Sequence, residues 1–311
     1  MTAIGVLCAR VRVEEKQIIA ALADAGVVAM AVPPASAPLP PGLASADGAT
    51  LGNQRHDGDD VVRHHELRLI VDRCQNRHVA AATLPLLKLS GIEVLDAGLA
   101  ATGSRLEIAT AFAQANLPRP QAFVGFSEAS AMEAAARLGF PATLMPQTPG
   151  SATTSLLDHD TAEAVIEHRV VLGSHGEAIV LLQAGAPQAE HTGRHHVVVG
   201  EVIAVEGALV DGEAQELAVA AAQALGARFL AVDVARIDGQ LVIWDVAPVA
   251  DFRQATLTGS RGVGNAIADV VRSTTGGLVS ALGRSDVSIA VAQNGWEVQV
   301  RHGVIGVSLT A

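Results

Sequence analysis

The sequence of 311 residues has no tyrosine, only two cysteines and a deficit of positive charge. Lysine and arginine together number 21 against 32 acidic residues, which gives a formal charge of −11. That balance argues against a nucleic-acid partner and against binding to an anionic membrane surface. Cys8 and Cys74 cannot build a disulfide framework, and their apolar surroundings favour a reducing, cytoplasmic location.

Lysine is almost missing, because Lys16 and Lys88 are the only two in the chain. Any mechanism that needs a lysine between residues 89 and 311 is therefore excluded. No apolar stretch reaches the roughly 18 residues of a membrane-spanning helix without a charge or a turn signal. The N-terminal residues lack a basic region before an apolar core, so we expect no signal peptide.

Strand-like and helix-like segments alternate along most of the chain, which predicts an α/β fold. Residues 33–60, rich in Pro, Gly, Asp and Ala, are predicted to form a loop. The order of segments predicts an N-terminal α/β domain with a mostly parallel sheet (1–97), two further α/β units (98–182 and 183–282) and a tail (283–311).

The tail carries a hairpin signal, since Asn294-Gly295 separates two apolar runs. We predict a hairpin over residues 288–300 and a third strand at 304–309. Val298 and Val300 are expected on one face with residues 289 and 291, and Trp296 on the other. Such a hairpin could extend a sheet across a subunit boundary.

Asp233 and Asp245 are the strongest chemical candidates. Each lies in an apolar run, and a short connection with an Asp-Gly turn joins the two runs. Antiparallel pairing would place both carboxylates on one face, where they could hold Mg²⁺ and its nucleotide phosphates. The alternative is that both carboxylates simply accept hydrogen bonds from backbone or arginine groups.

Other chemically suggestive residues are interpreted as structural. The histidines are expected on the surface, the glycine-rich segment as an ordinary loop, the serine as a helix cap and the cysteine as a buried thiol. The histidines are His191, His195 and His196, the glycine-rich segment is 261–265, the serine is Ser127 and the cysteine is Cys8.

The order of these segments resembles the ATP-grasp ligases, in particular the LysX/RimK-like branch, which join an amine to a carboxylate through an acyl phosphate. The resemblance extends over residues 1 to about 280. It lies in the first strand with Arg10 and Arg12, in the run 113–120 that ends a helix in a Pro-rich turn, in the segment 139–146, and in the strands bearing Asp233 and Asp245. It implies an ATP-grasp fold behind an N-terminal pre-ATP-grasp domain, with ATP and Mg²⁺ as cofactors.

The resemblance also assigns positions to the nucleotide and the metal. Asp233 and Asp245 fall on metal-ligand positions. The ATP positions are Arg105, Met145, Gly150, Ser151, Gln183 and a residue near Arg194 or His195.

Most of these positions depart from the pattern of the family. Arg105 and Met145 replace two ATP-binding lysines, and methionine cannot donate a charged hydrogen bond to phosphate. Asp245 is one methylene shorter than the expected glutamate, and Ala247 replaces an asparagine ligand. The loop over the substrate shrinks to residues 206–212. Together these changes predict that ATP and Mg²⁺ bind weakly or not at all.

Three hypotheses follow from this pattern. The first is a degenerate ATP-grasp protein that acts as a homodimer or homotetramer, with an active ATP-grasp paralogue or a carrier protein as its partner. The second is a divergent, active carboxylate–amine ligase that uses Arg105, Arg194, Asp233 and Asp245, in lysine or arginine biosynthesis or in protein modification. The third is a protein that binds a small molecule in the cleft between the domains and catalyses no reaction.

Overall fold

The protein is described by a computed structural model over residues 3–37, 67–174, 178–282, 296–301 and 304–309. Three main sheets organise this part of the chain, two of them packed on a shared core and the third carrying its own. The predicted limits of the domains remain predictions.

The first sheet is parallel, with the strand order β2-β1-β3-β4. Apolar runs form its strands, and two helices cover them. These elements are β1 (Ala3–Leu7), α1 (Val13–Asp24), β2 (Ala29–Val32), β3 (Leu67–Asp72), α2 (Arg77–Leu89) and β4 (Glu93–Leu95).

Two helices lead from this sheet to the central one. They are α3 (Leu99–Thr102) and α4 (Arg105–Gln114). A capping box of Ser104 and Glu107 starts α4, which makes Arg105 the first residue of that helix. Gly98 precedes α3 with a φ of 59°, and a Cβ there would lie 1.9 Å from the carbonyl oxygen of Leu225, so only glycine permits this approach.

The central sheet is antiparallel in the order β5-β8-β6-β7 and is covered by α5 and α6. Alanines on α5 and leucines on the strands fill its separate core. Its elements are β5 (Ala122–Gly125), α5 (Glu128–Leu138), β6 (Ala142–Met145), β7 (Thr154–Leu156), α6 (His159–Leu172) and β8 (Val180–Ala184).

The third sheet is also antiparallel, in the order β12-β11-β9-β10-β13. Helix α7 packs on its apolar face, and this core is continuous with that of the first sheet. The elements are β9 (Thr192–Val198), β10 (Glu201–Gly207), α7 (Gly212–Ala224), β11 (Phe229–Ile237), β12 (Gln240–Ala247), β13 (Thr256–Leu257) and α8 (Val263–Leu282).

Some local predictions are wrong. The apolar run over residues 197–205 predicts a single strand, but a turn at Val199-Gly200 divides it between β9 and β10. The sequence predicts Thr161 as the cap of the next helix, but that helix begins at His159, because Asp158 is the cap and accepts a hydrogen bond from the Thr161 N–H. Ser127 caps α5, as predicted.

The tail contains an antiparallel pair, β14 (Trp296–Arg301) and β15 (Val304–Leu309). The predicted turn at Asn294-Gly295 and the strand before it lie outside the described residues. The prediction that separated Trp296 from Val298 and Val300 is wrong, because alternate positions of one strand share a face. None of the described helices is both long enough and apolar enough to cross a bilayer.

Candidate nucleotide and metal site

One face of the third sheet gathers three charged residues of the candidate site. Asp233 on β11 pairs in register with Asp245 on β12 and, on its other side, with Arg194 on β9. Residues paired directly across antiparallel strands point to the same face. The predicted grouping of the two carboxylates is therefore correct, and Arg194 rather than His195 is the residue that shares their face.

Arg194 and Asp233 form a bidentate ion pair. Arg194 Nε and Nη2 donate to the two carboxylate oxygens over 2.7 and 2.8 Å. The hydrogen bonds to Asp233 raise the pKa of Arg194 above its already high ordinary value. Both oxygens of Asp233 thus face a permanent cation.

Arg105 forms the second bidentate pair, with Asp245. Its Nε and Nη2 donate to the Asp245 carboxylate over 2.8 and 2.6 Å. The remaining N–H groups donate to the carbonyl oxygens of Pro146, Thr148 and Ser151 over 2.6, 2.9 and 2.8 Å. A guanidinium has five donors, so every donor of this buried arginine is used within the protein.

Asp245 is almost enclosed, with 12% of its side chain exposed. Burial raises the pKa of its carboxyl group, and the hydrogen bonds and charge of Arg105 partly oppose that rise. The ion pair is therefore what makes a charged carboxylate tolerable at this depth.

The backbone of residues 146–151 turns its oxygens toward the guanidinium. The N–H of Arg105 also donates to the carbonyl of Gln147 over 2.8 Å. A phosphate-binding loop does the reverse, offering N–H groups to an anion. In this arrangement the loop binds an internal cation.

The other predicted ATP positions are occupied by packing contacts. Met145 is buried on β6, opposite Leu181 on β8. Gly150 has a φ of 77° and lies against Ala247, since a Cβ built on it would be 3.8 Å from the Ala247 Cα. Gln183 is buried and donates through Nε2 to the carbonyl of Trp244 over 3.2 Å.

These residues do not fit Mg²⁺ as they stand. Mg²⁺ needs oxygen ligands in an octahedral arrangement, yet arginines occupy both carboxylates and Ala247 supplies no side-chain oxygen. Within the described ranges, no group of three or more histidine, cysteine or acidic residues is placed to hold a metal ion.

A cleft of about 380 Å³ lies between the central and third sheets. The two aspartates are predicted to face this cleft together. Asp233 lines it, but Asp245 does not, because it lies behind the cleft against Arg105. The lining residues are Thr143, Thr153, Ser155, Ala186, Pro187, Thr192, Gly193, Arg194, Glu206, Gly207, Asp233 and Trp244.

Trp244 is a site residue that the sequence did not suggest. It lies at an irregularity of the β11–β12 pairing, where Asp233 pairs with Asp245 but the next residue pairs with Ile243. Trp244 is the extra residue of this bulge, and bulges redirect side chains beside functional sites. The bulge gives the cleft an aromatic wall next to the two aspartates.

The histidines differ from the prediction that they lie on the surface. His191 is exposed, but His195 and His196 are buried on opposite faces of β9. His195 lies in the core, where burial lowers its pKa. His196 shares the face of Arg194, and its Nε2 is 3.4 Å from Glu206 Oε1.

A second group of charges joins the first sheet to the third. Arg73 Nε donates to Glu15 Oε1 over 3.0 Å, and its Nη2 donates to the carbonyl of Ala250 over 2.9 Å. Arg12 adds further hydrogen bonds to Glu15. These buried contacts hold the carboxyl end of the parallel sheet against the third sheet.

Several solved structures are similar to this chain over most of its length. No protein-family model matches it. A RimK domain ATP-grasp protein from Sphaerobacter thermophilus is 29% identical, with a TM-score of 0.66 over 87% of this chain and 99% of that one. The macrocyclase MdnC from Microcystis aeruginosa, bound to its precursor peptide, is 14% identical, with a TM-score of 0.62 over 88% of this chain and 100% of that one.

A D-alanine–D-alanine ligase from Bacillus anthracis is 12% identical, with a TM-score of 0.61 over 90% of this chain and 100% of that one. At identities this low, the ligase and the macrocyclase establish the fold alone.

Proposed function

Because the chain has the ATP-grasp fold and resembles a RimK domain protein over most of its length, we propose that it is an ATP-grasp ligase-like protein without ligase activity. In this proposal its own arginines occupy the positions that nucleotide phosphates and Mg²⁺ take in the family. The fold then serves to bind a ligand or a partner rather than to activate a carboxylate.

The saturation of Arg105 is the observation that carries the proposal. A cation that served ATP would need donors left over for phosphate oxygens. Arg105 spends two on Asp245 and three on the carbonyls of Pro146, Thr148 and Ser151. Rearranging it would leave a buried carboxylate and three carbonyls unpaired.

The free energy needed to break these ion pairs supports the same conclusion. Removing one partner of a buried ion pair costs about 3–5 kcal/mol. Mg²⁺ and ATP would have to displace the guanidinium from Asp245 and separate Arg194 from Asp233 before gaining their own contacts. With methionine at 145 and alanine at 247, few new contacts compensate for that loss.

A divergent, active carboxylate–amine ligase is the second candidate, and one observation favours it. The cleft between the two sheets is open, and both Arg194 and Asp233 line it. In a rebuilt site these two residues and the Arg105–Asp245 pair would exchange partners when nucleotide enters.

One experiment separates the two candidates. Full-length protein is assayed for ATP hydrolysis with Mg²⁺ and a panel of free amino acids, and calorimetry follows binding of a non-hydrolysable ATP analogue. We expect no turnover above that of the Asp233→Ala variant. Turnover that Asp233→Ala abolishes would refute the non-catalytic proposal and establish the divergent ligase.

The proposal extends to assembly, and here it rests on the resemblance alone. We propose a cytoplasmic homodimer or homotetramer that works with an active ATP-grasp paralogue or a carrier protein. Light scattering compares the full chain with a truncation after Leu282, which removes the tail. An unchanged mass and an unchanged melting temperature would exclude a role for the tail in assembly.

A further inference from the structure

The cleft between the central and third sheets has the dimensions of a ligand site. Its volume of about 380 Å³ falls within the range of roughly 300–1,000 Å³ typical of small-molecule pockets. The two sheets supply opposite walls, so a bound molecule would touch both. The inference below rests on the proposed function in one respect, namely that a nucleotide does not occupy this space.

The charged groups of the cleft leave a negative excess. Arg194, Asp233 and Glu206 are its charged lining residues. Arg194 forms a bidentate pair with Asp233 and is also paired in register with Glu206 on β10, so one guanidinium lies between two carboxylates and one negative charge is left over. Across the described part of the chain, no arginine or lysine forms an ion pair with Glu206, whose Oε1 lies 3.4 Å from His196 Nε2.

Two hydroxyl groups in the lining already use their protons within the protein. The hydroxyl of Thr143 donates to the carbonyl of Gly185 over 2.7 Å, and that of Thr192 donates to the carbonyl of Ala189 over 3.1 Å. A hydroxyl has a single proton and two lone pairs, so these two oxygens can only accept from a ligand. These two positions therefore favour a ligand that donates hydrogen bonds.

Trp244 adds an aromatic surface to the cleft. Indole is the best of the aromatic side chains at attracting an ammonium or guanidinium group over its face. A polyphosphate has the opposite properties, because it is anionic and only accepts hydrogen bonds at neutral pH.

From these observations we propose that the cleft binds a small organic cation carrying a primary ammonium or guanidinium group, with Glu206 as its counter-ion and Trp244 as its aromatic wall. Basic amino acids and polyamine-type amines share this chemistry. They differ in one respect, since an amino acid also brings a carboxylate into the cleft.

Calorimetry of the full chain in 150 mM salt tests the proposal, with agmatine and L-arginine as the probes. We expect saturable binding of agmatine to the wild type and at least tenfold weaker binding to Glu206→Gln. Glu201→Gln is the matched control, because Glu201 lies on the same strand but is exposed and pairs with Arg261 outside the cleft. It should bind like the wild type. Ser155→Lys, which supplies an internal ammonium at the cleft wall, should also abolish binding.

The probes distinguish the two sources of ligand. Tighter binding of L-arginine than of agmatine identifies an amino acid, and weaker binding identifies an amine without a carboxylate. If neither probe binds the wild type, or if Glu206→Gln and Ser155→Lys both bind as tightly as the wild type, the inference is wrong. That outcome leaves the proposed loss of ATP chemistry untouched. ATP turnover, by contrast, would overturn the proposed function and, with it, the premise that no nucleotide occupies the cleft.

Discussion

Asp233 and Asp245 lie directly opposite each other on neighbouring strands, but each carboxylate is bound by a different arginine. Arg194 reaches Asp233 from the adjacent strand, and Arg105 reaches Asp245 from a helix 140 residues earlier in the chain. Two like charges at this spacing would repel each other without a cation between them. Here two guanidinium groups supply the compensation that a divalent ion supplies in a metal site.

We predict that Arg105→Met destabilises the protein by about 3–5 kcal/mol. The substitution leaves Asp245 buried without a partner and removes the donors to three carbonyl oxygens. Urea denaturation monitored by circular dichroism measures the loss. Arg137→Met is the control, since its pair with Glu133 is exposed, and it should change stability by no more than about 0.5 kcal/mol.

The Arg105→Met, Asp245→Leu double variant provides a second check. Replacing both partners of a buried ion pair with apolar groups is often neutral or stabilising. We therefore expect it to recover most of the stability lost by the single variant. A double variant less stable than Arg105→Met would show that the carbonyl contacts, rather than the ion pair, dominate the energy.

Much of the fold could be predicted from the sequence, because its strands and helices follow local hydrophobic patterns. The parallel first sheet is correct, and the resemblance to the ATP-grasp ligases is confirmed by the solved structures. The division between β9 and β10 was missed because Val199 adopts a φ of 46°, which a β-branched residue rarely does. A Val-Val-Val-Gly run gives no local sign of such a turn.

The site was predicted in its composition but not in its contacts. The short connection between β11 and β12 was enough to pair Asp233 with Asp245. The bidentate pair of Arg105 with Asp245 depends on how α4 meets the third sheet, and no local pattern encodes that distance. The alternative left open at the outset, that the carboxylates accept hydrogen bonds from arginine, is the one observed.

A second prediction concerns divalent ions. We expect Mn²⁺ at millimolar concentration to leave the melting temperature of the wild type unchanged and to raise that of the Arg105→Met, Arg194→Met double variant, because two adjacent carboxylates then lack their cations. Adding Asp233→Asn should remove the effect. Arg194 is the less buried of the two arginines. The Arg194→Met single variant frees only Asp233 and so tests whether one carboxylate is enough to bind Mn²⁺. Stabilisation of the wild type by Mn²⁺ that Asp233→Asn abolishes would contradict the prediction.

A third prediction concerns pH and the buried Glu15. Burial alone would raise the pKa of Glu15, but hydrogen bonds from Arg12 and the charge of Arg73 outweigh it and lower that pKa. A carboxyl group whose folded pKa is depressed stabilises the protein above the unfolded pKa of about 4.3, and loses that contribution as the pH falls through the folded value.

The stability difference between the wild type and Glu15→Gln should therefore be largest near pH 7 and shrink as the pH falls below about 4.3. Urea midpoints between pH 7 and pH 3 measure it. Glu133→Gln, at an exposed pair, serves as the control and should show a difference near zero throughout. A stability difference between the wild type and Glu15→Gln that grows on acidification would show that folding raises, rather than lowers, the pKa of Glu15.

The last prediction concerns what would be needed to restore nucleotide binding. Met145→Lys with Ala247→Asn returns a phosphate-binding cation and a third metal ligand, but it leaves Arg105 bound to Asp245. We therefore expect this double variant to remain silent in ATP hydrolysis and in binding of a non-hydrolysable analogue with Mg²⁺. Adding Arg105→Lys replaces the saturated guanidinium with a compact ammonium that can bind Asp245 and still reach a phosphate. The triple variant should gain at least tenfold in Mg²⁺-dependent affinity, about 1.4 kcal/mol. Equal affinity in the double and triple variants would show that Arg105 is not the obstacle, and the non-catalytic proposal would then rest on positions 145 and 247 alone.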